Sequence, residues 1–489
     1  MGQHRFFFGS LVVLSSLLGE MDASCLRTIV IEDLCEQSHR CSCSGADSCF
    51  GIDLRMDVPS KEKFIEALCC FISSPLDEET VLALKETIIS FYQKQGYPIV
   101  GVFVPEKQDL SSGEIRLLVL VAKLGSVKAE GAKYFSNEKI ASQFRTKPGE
   151  EIRSERVNED LQWMNQNPFY STSLLYEPGQ KLGETDVVLL TQDRFPLRVY
   201  GGYENVGDPI TGTPRFLAGL NWGNAFGVGH QFNYLFITET HPKNWYANMA
   251  SYLIPLPWRD LFMVYGSYTL TEPSVGADLG LQGKGWQVCG KYSTLFTYSI
   301  CEFEAYIGYE FKRTNNFLTF GVAPVFNNYI DISQFVLGLD AQMEYEAGNT
   351  SAEIKFYLSP GNMTAFNRTA YFLTERAGSK CNYIYGRFNL EQILKLPLGM
   401  TWAFNSMIQG SSAKLLPSEE MIFGGYYTVR GYDEFEVLSD NGVLIKNEIR
   451  SRPFQLPTFR KKKHEIQFLG FWDFGVSIQR YNRKLCLEG

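Results

Sequence analysis

The chain has 489 residues, and its 46 basic and 54 acidic side chains give a net charge of −8. Such a chain lacks the basic surface that general nucleic-acid binding requires, so we expect no nucleic-acid partner. With 45% hydrophobic residues, a bundle of transmembrane helices is excluded, and the 14% aromatic content with 43 glycines favours a β-rich protein.

The first 24 residues are predicted to be a signal peptide. After a short basic start, residues 6–18 form an apolar run that is too short to span a bilayer but suits a secretory leader. The small residues Ala23 and Ser24 then offer a cleavage site. A buried N-terminal helix is the alternative interpretation of the same run.

Residues 25–59 are predicted to be a separate Cys-rich segment. Seven of the eleven cysteines precede residue 71. In an exported protein this density favours disulfide bonds, and the odd total leaves at least one thiol unpaired or bonded between chains. The candidates are Cys35, Cys41, Cys43 and Cys49. A metal site including His39 is the alternative, but no paired C-x-x-C spacing occurs, so we predict no metal.

Residues 60–195 are predicted to form two tandem α/β repeats, 60–123 and 124–195. Apolar residues at helical spacing follow Ser60 and Asp77, and each predicted helix pair is combined with short alternating strands. The first repeat has strands at 99–104 and 114–122. The second has strands at 126–130, 171–177 and 185–191 and helices at 137–144 and 154–165.

From residue 196 the pattern changes to long strands with alternating polar and apolar residues. Segments of about ten residues with this period are typical of a lipid-embedded antiparallel barrel, which pairs every backbone group. A soluble β-sandwich would show shorter strands, and a propeller needs a repeat that is absent. We count thirteen strands: 198–203, 216–224, 230–240, 245–253, 261–270, 285–292, 299–312, 332–345, 351–358, 382–390, 400–409, 442–451 and 465–476.

A turn after the first strand of the first repeat carries a Pro-x-x-Gln-Asp motif. Its residues are Pro105, Gln108 and Asp109, followed by Gly113. In the second repeat, Pro178-Gly179 and Gly183-Glu184-Thr185-Asp186 complete the pattern. The two repeats resemble the POTRA domains of the TpsB transporters of two-partner secretion, the ShlB/FhaC/HecB haemolysin secretion/activation family. This family belongs to the BamA-related outer-membrane superfamily.

The barrel region contains two further motifs of that family. The first is V-R-G-Y, which resembles the tip of a loop folded back into the pore: Val429, Arg430, Gly431 and Tyr432. The second is F-x-D-x-G on an inner wall strand, which supplies Asp473 and Gly475. The resemblance implies that Arg430 pairs with Asp473. The chemistry fits, because a guanidinium in a confined polar lumen needs a carboxylate and binds it in a planar, bidentate manner.

The resemblance implies a fold of α+β periplasmic POTRA repeats followed by an antiparallel transmembrane β-barrel of about sixteen strands. Because only about thirteen strands are predicted, the chain is expected to be a C-terminally truncated member whose barrel, residues 196–489, is incomplete.

The implied function is an outer-membrane pore that exports a haemolysin- or adhesin-like exoprotein. We predict no enzyme and no cofactor, because no Ser-His-Asp order, H-E-x-x-H helix or P-loop occurs. The expected partners are the exoprotein, bound through its N-terminal secretion domain, the outer-membrane lipids and the barrel assembly machinery. The alternative function is a BamA-like assembly factor that inserts outer-membrane proteins.

Overall fold

The computed structural model divides the chain into two compact units, which meet at Arg194 and Phe195. The predicted signal peptide lies outside the residues that the structure describes, as do Cys35, Cys41 and Cys43. The described residues are 25–34, 48–49, 51–105, 108, 110, 112–207, 211–272, 279–320, 323–459, 462–478 and 484–488.

The first repeat is a five-stranded sheet with two helices. Its elements are β1 (Thr28–Asp33), β2 (Ser48–Cys49), β3 (Ile52–Leu54), α1 (Lys61–Cys69), α2 (Glu78–Lys94), β4 (Val100–Phe103) and β5 (Glu114–Val121). The sheet order is β2-β3-β1-β5-β4. The Asp77 side chain caps α2 by accepting a hydrogen bond from the Thr80 N–H at 2.7 Å, whereas Ser60 makes no such bond to α1.

This repeat begins earlier than the sequence predicts. β1 lies within the sheet, parallel to both β3 and β5, so the expected boundary at residue 60 is replaced by one near Cys25. The side chains of Ile29, Val30 and Ile31 are buried. The β-branched run at the start of β1 forms the strand because such residues pack well on a pleated surface. Part of the predicted Cys-rich segment is therefore core structure.

The second repeat is a three-stranded sheet with two helices. Its elements are β6 (Lys123–Glu130), α3 (Asn137–Ala141), α4 (Ser154–Met164), β7 (Tyr170–Pro178) and β8 (Glu184–Asp193). β8 lies in the centre, parallel to β6 and antiparallel to β7. Arg153 places its guanidinium 3.8 Å above the centre of the Tyr97 ring, and the Ser154 N–H donates to the Gly96 carbonyl at 2.8 Å, so the two repeats are in contact.

The second unit is dominated by one antiparallel sheet, which has fourteen strands in the described part of the chain. These are β9 (Leu197–Glu204), β10 (Arg215–Ala225), β11 (His230–Thr238), β12 (Trp245–Pro255), β13 (Asp260–Thr271), β14 (Leu279–Tyr298), β15 (Cys301–Phe320), β16 (Ala323–Tyr345), β17 (Gly348–Ser359), β18 (Tyr383–Lys395), β19 (Thr401–Ser411), β22 (Gly442–Arg450), β25 (Leu469–Ile478) and β26 (Lys484–Glu488). Two hairpins complete the unit: β20 (Met421–Phe423) with β21 (Val437–Ser439), and β23 (Phe454–Phe459) with β24 (Lys462–Ile466).

All thirteen predicted strands overlap with strands of this sheet, and β26 is a fourteenth that the alternation did not indicate. Each strand pairs with the next one in sheet order, and β9 and β26 stand at the two ends of that order. β14, β15 and β16 are longer than expected, with 20, 20 and 23 residues, so they exceed the roughly ten residues that a bilayer requires.

The two faces of the sheet differ as the alternation predicts. Ile307 and Leu337 on one face are more than half exposed, whereas Tyr306 and Val336, their neighbours in sequence, are buried. The apolar face suits lipid, and the polar face encloses a lumen. No helix within the described ranges is long and apolar enough to cross a membrane.

Two loops leave the same edge of the sheet, because β17 and β19 are each antiparallel to β18. We call residues 360–382 the cap loop; it contains α5 (Thr369–Glu375). We call residues 412–441 the inward loop; it contains the hairpin of β20 and β21. A short 3-10 helix, Pro397–Gly399, turns the chain at the opposite edge.

Candidate functional site

The inward loop carries Arg430 to the wall formed by β22 and β25. Its Nε donates to Oδ2 of Asp473 at 2.6 Å and its Nη2 donates to Oδ1 at 2.7 Å, which is a bidentate pair. The backbone N–H of Arg430 also donates to Asp473 Oδ2 at 3.2 Å. The Asp473 carboxylate is fully buried. The structure thus brings together the two residues that the motifs singled out.

Two more wall residues complete the surroundings of Arg430. Its Nη1 donates to Oε1 of Glu448 at 2.5 Å, and its guanidinium lies 3.8 Å from the centre of the Phe471 ring. The hydrogen bonds to Asp473 and Glu448 raise the pKa of the guanidinium above its usual range, although burial opposes this shift. Phe471 is the first residue of the F-x-D-x-G motif, whereas Glu448 belongs to no motif and was not predicted.

Glycine in the wall makes room for the loop. A Cβ atom on Gly475 would lie 2.7 Å from Phe423 Cδ1 and 3.0 Å from Val429 Cγ2, which is closer than side chains pack. Val429 is fully buried at this point, and Tyr432 packs against the same apolar cluster. Gly431, between them, has a φ of 96°, which suits the tight turn at this end of the loop.

Glu419, nearer to the start of the inward loop, is bound to other strands of the wall. Its Oε1 lies 2.8 Å from the Lys312 Nζ on β15. Its Oε2 accepts hydrogen bonds from the Tyr385 hydroxyl at 2.6 Å and from Gln334 Nε2 at 3.0 Å. Burial alone would raise the pKa of Glu419, but Lys312 and these donors bring it below its usual value, so the carboxylate is charged.

The backbone of Glu419 is held as well. Its carbonyl accepts hydrogen bonds from Arg387 Nη2 at 3.0 Å and from Gln409 Nε2 at 3.1 Å. Lys312 is also 3.3 Å from Oε2 of Glu310, so the cluster contains charges of both signs. Glu419 therefore touches strands β15, β16, β18 and β19 from a single position.

Arg376 of the cap loop joins both ends of the inward loop. It donates to Asp440 Oδ1 at 2.5 Å and Oδ2 at 3.1 Å, and to the Leu415 carbonyl at 2.6 Å. It also pairs with Glu420 at 2.9 Å. Residues near the start and near the end of the inward loop are thus held by one guanidinium, which comes from another loop at the same edge of the sheet.

The cap loop is itself fixed to the wall through Asp331 on β16. Arg313 donates to both oxygens of this carboxylate, at 2.6 and 2.9 Å. The Thr364 hydroxyl donates to Oδ2 at 2.5 Å, and Asn367 donates to the Asp331 carbonyl at 2.8 Å. Asp331 is fully buried. Wall, cap loop and inward loop therefore form one connected polar network.

The turn residues of the first repeat have a structural task. The Gln108 side chain accepts from the Arg116 N–H at 2.8 Å and donates to the Arg116 carbonyl at 3.3 Å, as a paired strand would. The Gly113 carbonyl accepts from the Arg27 and Thr28 N–H groups, so it connects the start of β1 to the sheet. Gly113 has a φ of 74°, and a Cβ atom there would lie 2.5 Å from the Cys25 carbonyl oxygen. Pro105 lies two residues after the end of β4, and Asp109 lies outside the described residues.

The four disulfide candidates lie outside the residues whose side chains the structure describes. Cys25, Cys69 and Cys70 carry free thiols. Among the described residues no group of His, Cys, Asp and Glu side chains could hold a metal ion.

Sequence reasoning missed the second set of contacts to the inward loop. Lys312, Gln334 and Arg376 belong to no motif, and their partners are distant in sequence. One signal was available: two consecutive acidic residues, Glu419 and Glu420, directly precede an apolar stretch in a loop that was expected to enter the pore.

Known proteins share this architecture. The outer membrane transporter CdiB of Dickeya dadantii is 22% identical over 396 residues, which is 78% of this chain and 67% of that protein. The heme/hemopexin transporter protein HuxB of Haemophilus influenzae is 23% identical over 459 residues, which is 89% of this chain and 77% of that protein. The solved structure of CdiB from Escherichia coli is 17% identical and has a TM-score of 0.71, covering 96% of this chain and 84% of the other.

The likeness to the solved structure shows the same fold, a transmembrane barrel preceded by α/β repeats. A family profile described as haemolysin secretion/activation protein ShlB/FhaC/HecB matches residues 183–485, which is more than half of the chain. This range contains the inward loop and the wall residue Asp473. The chain therefore belongs to the ShlB/FhaC/HecB haemolysin secretion/activation family.

Proposed function

We propose that this protein is the outer-membrane pore of a two-partner secretion system and that it exports one secreted partner protein. It is an outer-membrane β-barrel, and its two α/β repeats are POTRA domains in the periplasm. The relatives CdiB and HuxB are transporters by name. Transport rather than catalysis is the proposed activity, driven by folding of the exported chain outside the cell.

The observation that carries the proposal is the bidentate pair of Arg430 and Asp473 on the polar side of the barrel wall. A loop inside a pore blocks passage, so export requires that it can move. Hydrogen bonds and ion pairs can be exchanged for water or for the backbone of a passing chain, because each group keeps a partner. An apolar plug would offer no such exchange.

The periplasmic repeats supply strand edges for recognition. β4 is the last strand of the first sheet and β7 is the last strand of the second. Phe103 on β4 and Leu175 on β7 are nearly half exposed. We propose that the N-terminal secretion domain of the partner adds a strand to one of these edges, where backbone hydrogen bonds give affinity and apolar side chains give specificity.

The finer partners belong to the same proposal. The apolar face of the barrel, with Ile307 and Leu337 exposed, would contact outer-membrane lipids. The barrel assembly machinery would insert the chain into the outer membrane.

Quantitative mass spectrometry of the culture medium tests this function and requires no antibody against a chosen partner. The source bacterium is compared with a deletion strain complemented by the wild-type gene, by Arg430→Ala or by Glu353→Gln. Glu353 is a wall carboxylate that contacts Lys355 and Asn389, so it is the matched control. We expect one secreted protein to disappear in the deletion and Arg430→Ala strains and to return with the wild type and the control.

Two results would contradict this function. Normal secretion by an Arg430→Ala protein that is inserted in the membrane would show that the pair is not needed for export. A general loss of outer-membrane proteins in the deletion strain, with no single exported protein lost, would favour the BamA-like assembly function instead.

A further inference from the structure

The inward loop has two parts with different surroundings. Residues 412–423 and 437–441, which we call the stem, are mostly enclosed. The buried residues of the stem are Leu415, Leu416, Glu419, Glu420, Met421, Phe423, Ser439 and Asp440. Residues 424–436, which we call the tip, are open to the lumen. Apart from the two glycines at its start, Val429 is the buried residue of the tip, and Tyr426, Tyr427 and Phe435 are more than half exposed.

The main polar contacts of the two parts lie on different regions of the wall, although Phe423 of the stem and Val429 of the tip pack in one apolar cluster. The tip is attached through Arg430 to β22 and β25, and the Lys446 Nζ donates to the Tyr427 carbonyl at 3.1 Å. The stem is attached through Glu419 to β15, β16 and β18. The side chain of Glu419 is bound by Lys312, Gln334 and Tyr385, and that of Arg430 by Asp473 and Glu448, so the two side chains have different partners.

The stem makes more buried polar contacts with its surroundings than the tip does. The Glu419 side chain is 2% exposed and makes bonds to three strands, while Arg376 joins Leu415, Glu420 and Asp440. The pairing of β20 with β21 closes the stem into a hairpin. Removing one partner of such a buried network leaves an uncompensated charge, which is strongly destabilising. Release of the stem would therefore need several such losses together.

Residues with positive φ lie at the two points where the stem meets the tip. Gly424 and Gly425 have φ values of 96° and 104° on one side, and Phe435 has a φ of 63° on the other. A positive φ is strained for a phenylalanine and is held there only by its surroundings. Glycine changes its backbone dihedral angles at little cost. Gly424 and Gly425 at one end of the tip and Phe435 at the other end are therefore suited to act as hinges.

We propose that the inward loop is a fixed stem with a movable tip, and that Glu419 is the positioning residue that fixes the stem. Opening of the pore then releases residues 424–436 from Asp473, while residues 412–423 and 437–441 stay on the wall. The inference rests on the proposed function, since it describes how that pore would open. It assigns to Glu419 and Lys312 a task that neither sequence motif includes.

Hydrogen exchange measured by mass spectrometry on the full-length protein in nanodiscs tests the division directly. In Arg430→Ala we expect amides of residues 424–436 to exchange at least tenfold faster and those of the stem to keep the wild-type rate. In Glu419→Gln we expect at least tenfold faster exchange in the stem, because Lys312 loses its charged partner and the amide NH2 would face either Lys312 or the donors Tyr385 and Gln334. Glu353→Gln is the matched control and should change neither segment.

Arg430→Ala accelerating stem and tip together would overturn the proposal, as would unchanged stem exchange in Glu419→Gln. If Glu419→Gln fails to insert, Lys312→Gln tests the same ion pair from the wall, with the same expected change. These outcomes do not depend on secretion. If the exported protein is lost in the culture test but stem and tip exchange together, only this inference is refuted. If stem and tip exchange separately but no exported protein is lost, only the proposed function is refuted.

A reversible crosslink provides a second readout. Ser379 of the cap loop and Lys414 of the stem are bridge partners, so their Cα atoms lie at a separation that a disulfide can close. The pair Ser379→Cys and Lys414→Cys is built with Arg430→Ala in a Cys381→Ser background, because Cys381 is a free thiol two positions along the chain from residue 379. We expect the same single-channel conductance in oxidised and reduced protein. A conductance that falls to the wild-type closed level on oxidation and returns on reduction would overturn the proposal.

Discussion

The two units of this protein bury different kinds of side chains. The first repeat closes around apolar side chains such as Phe64, Leu84 and Leu117, all fully buried. The interior of the barrel instead buries charged and polar groups, among them Glu419 and Asp473. Apolar burial stabilises without direction, at about 1.5–3 kcal/mol for a large side chain. A buried ion pair contributes little net stability but fixes its partners in one arrangement.

This difference separates two tasks. An apolar core has to stay closed, because opening it exposes all of its surface to water at once. A polar interior can be opened one contact at a time, since each released group finds water. Under the proposed function, the periplasmic repeats remain rigid while they hold a partner, and the barrel interior lets the tip of the inward loop leave the wall.

The largest expected effect comes from the apolar core. Phe64→Ala removes a side chain that packs against Phe91 and Tyr92, and we expect a loss of about 3–5 kcal/mol in the stability of the first repeat. Proteolysis of the full-length protein in rising urea measures this loss. Leu82→Ala, at an exposed position of α2, is the control and should change the stability by less than about 0.5 kcal/mol. Equal losses of stability in the two variants would contradict the claim that the apolar core keeps the first repeat closed.

A smaller and local effect is expected at the attachment of the cap loop. Asp331→Ala leaves Arg313 and Thr364 without their acceptor and costs about 1–3 kcal/mol at that contact, because the Arg313 side chain is 31% exposed and can turn to water. The barrel should still insert, because its strand pairing is untouched. Hydrogen exchange should become faster in residues 360–368 and stay unchanged in β16. If the barrel no longer forms, these polar contacts are needed for the barrel fold and not only for holding the cap loop.

The stem should respond to pH through Glu420. Burial raises the pKa of this carboxyl group to about 7, Asp440 acts in the same direction, and Arg376 opposes it. The closed stem thus binds the proton more tightly than a released stem would, so its extra stability is present at acid pH and is lost as the pH rises through about 7. Glu419, with a lowered pKa, stays charged between pH 5.5 and 8.

Exchange rates of the stem amides, corrected for the intrinsic effect of pH, measure this response. We expect slower exchange at pH 5.5 than at pH 8 in the wild type and no difference in Glu420→Gln. A stem that becomes looser on acidification would contradict the sign of the effect.

The smallest effect concerns the contact between the two repeats. Arg153→Ala removes the guanidinium above the Tyr97 ring, and we expect a loss of about 0.5–1 kcal/mol in resistance of the repeats to urea. Arg156→Ala, on the same helix but paired with Glu150 at 3.3 Å, serves as the control. A loss no larger than that of the control would show that the ring contact does not stabilise the repeats.

The sequence predicted the parts of the fold that repeat with a period. Alternation located the barrel strands, and helical spacing located α1, α2 and α4. It did not locate β1, because a short strand paired on both sides has no alternation to detect. Ser60 precedes α1 as expected but has a φ of 50°, and its hydroxyl donates to Gln95 Oε1 at 3.2 Å instead of capping the helix.

The candidate site was predictable only in part. Arg430 and Asp473 were found because both lie in motifs of a known family, and the structure places them in contact. Glu419 and Lys312 are 107 positions apart, and their pairing is decided by the path of the inward loop through the lumen. A local sequence pattern does not specify that path, so the stem contacts could not be predicted from the sequence.

Single-channel conductance in planar lipid bilayers tests most directly that a polar contact holds the pore closed. Wild-type protein and Glu353→Gln should stay mostly in a low-conductance state. Arg430→Ala should open more often and to a higher conductance, because Asp473 no longer holds the tip. If Arg430→Ala is inserted and folded but conducts like the wild type, the pair does not hold the pore closed and the account is wrong.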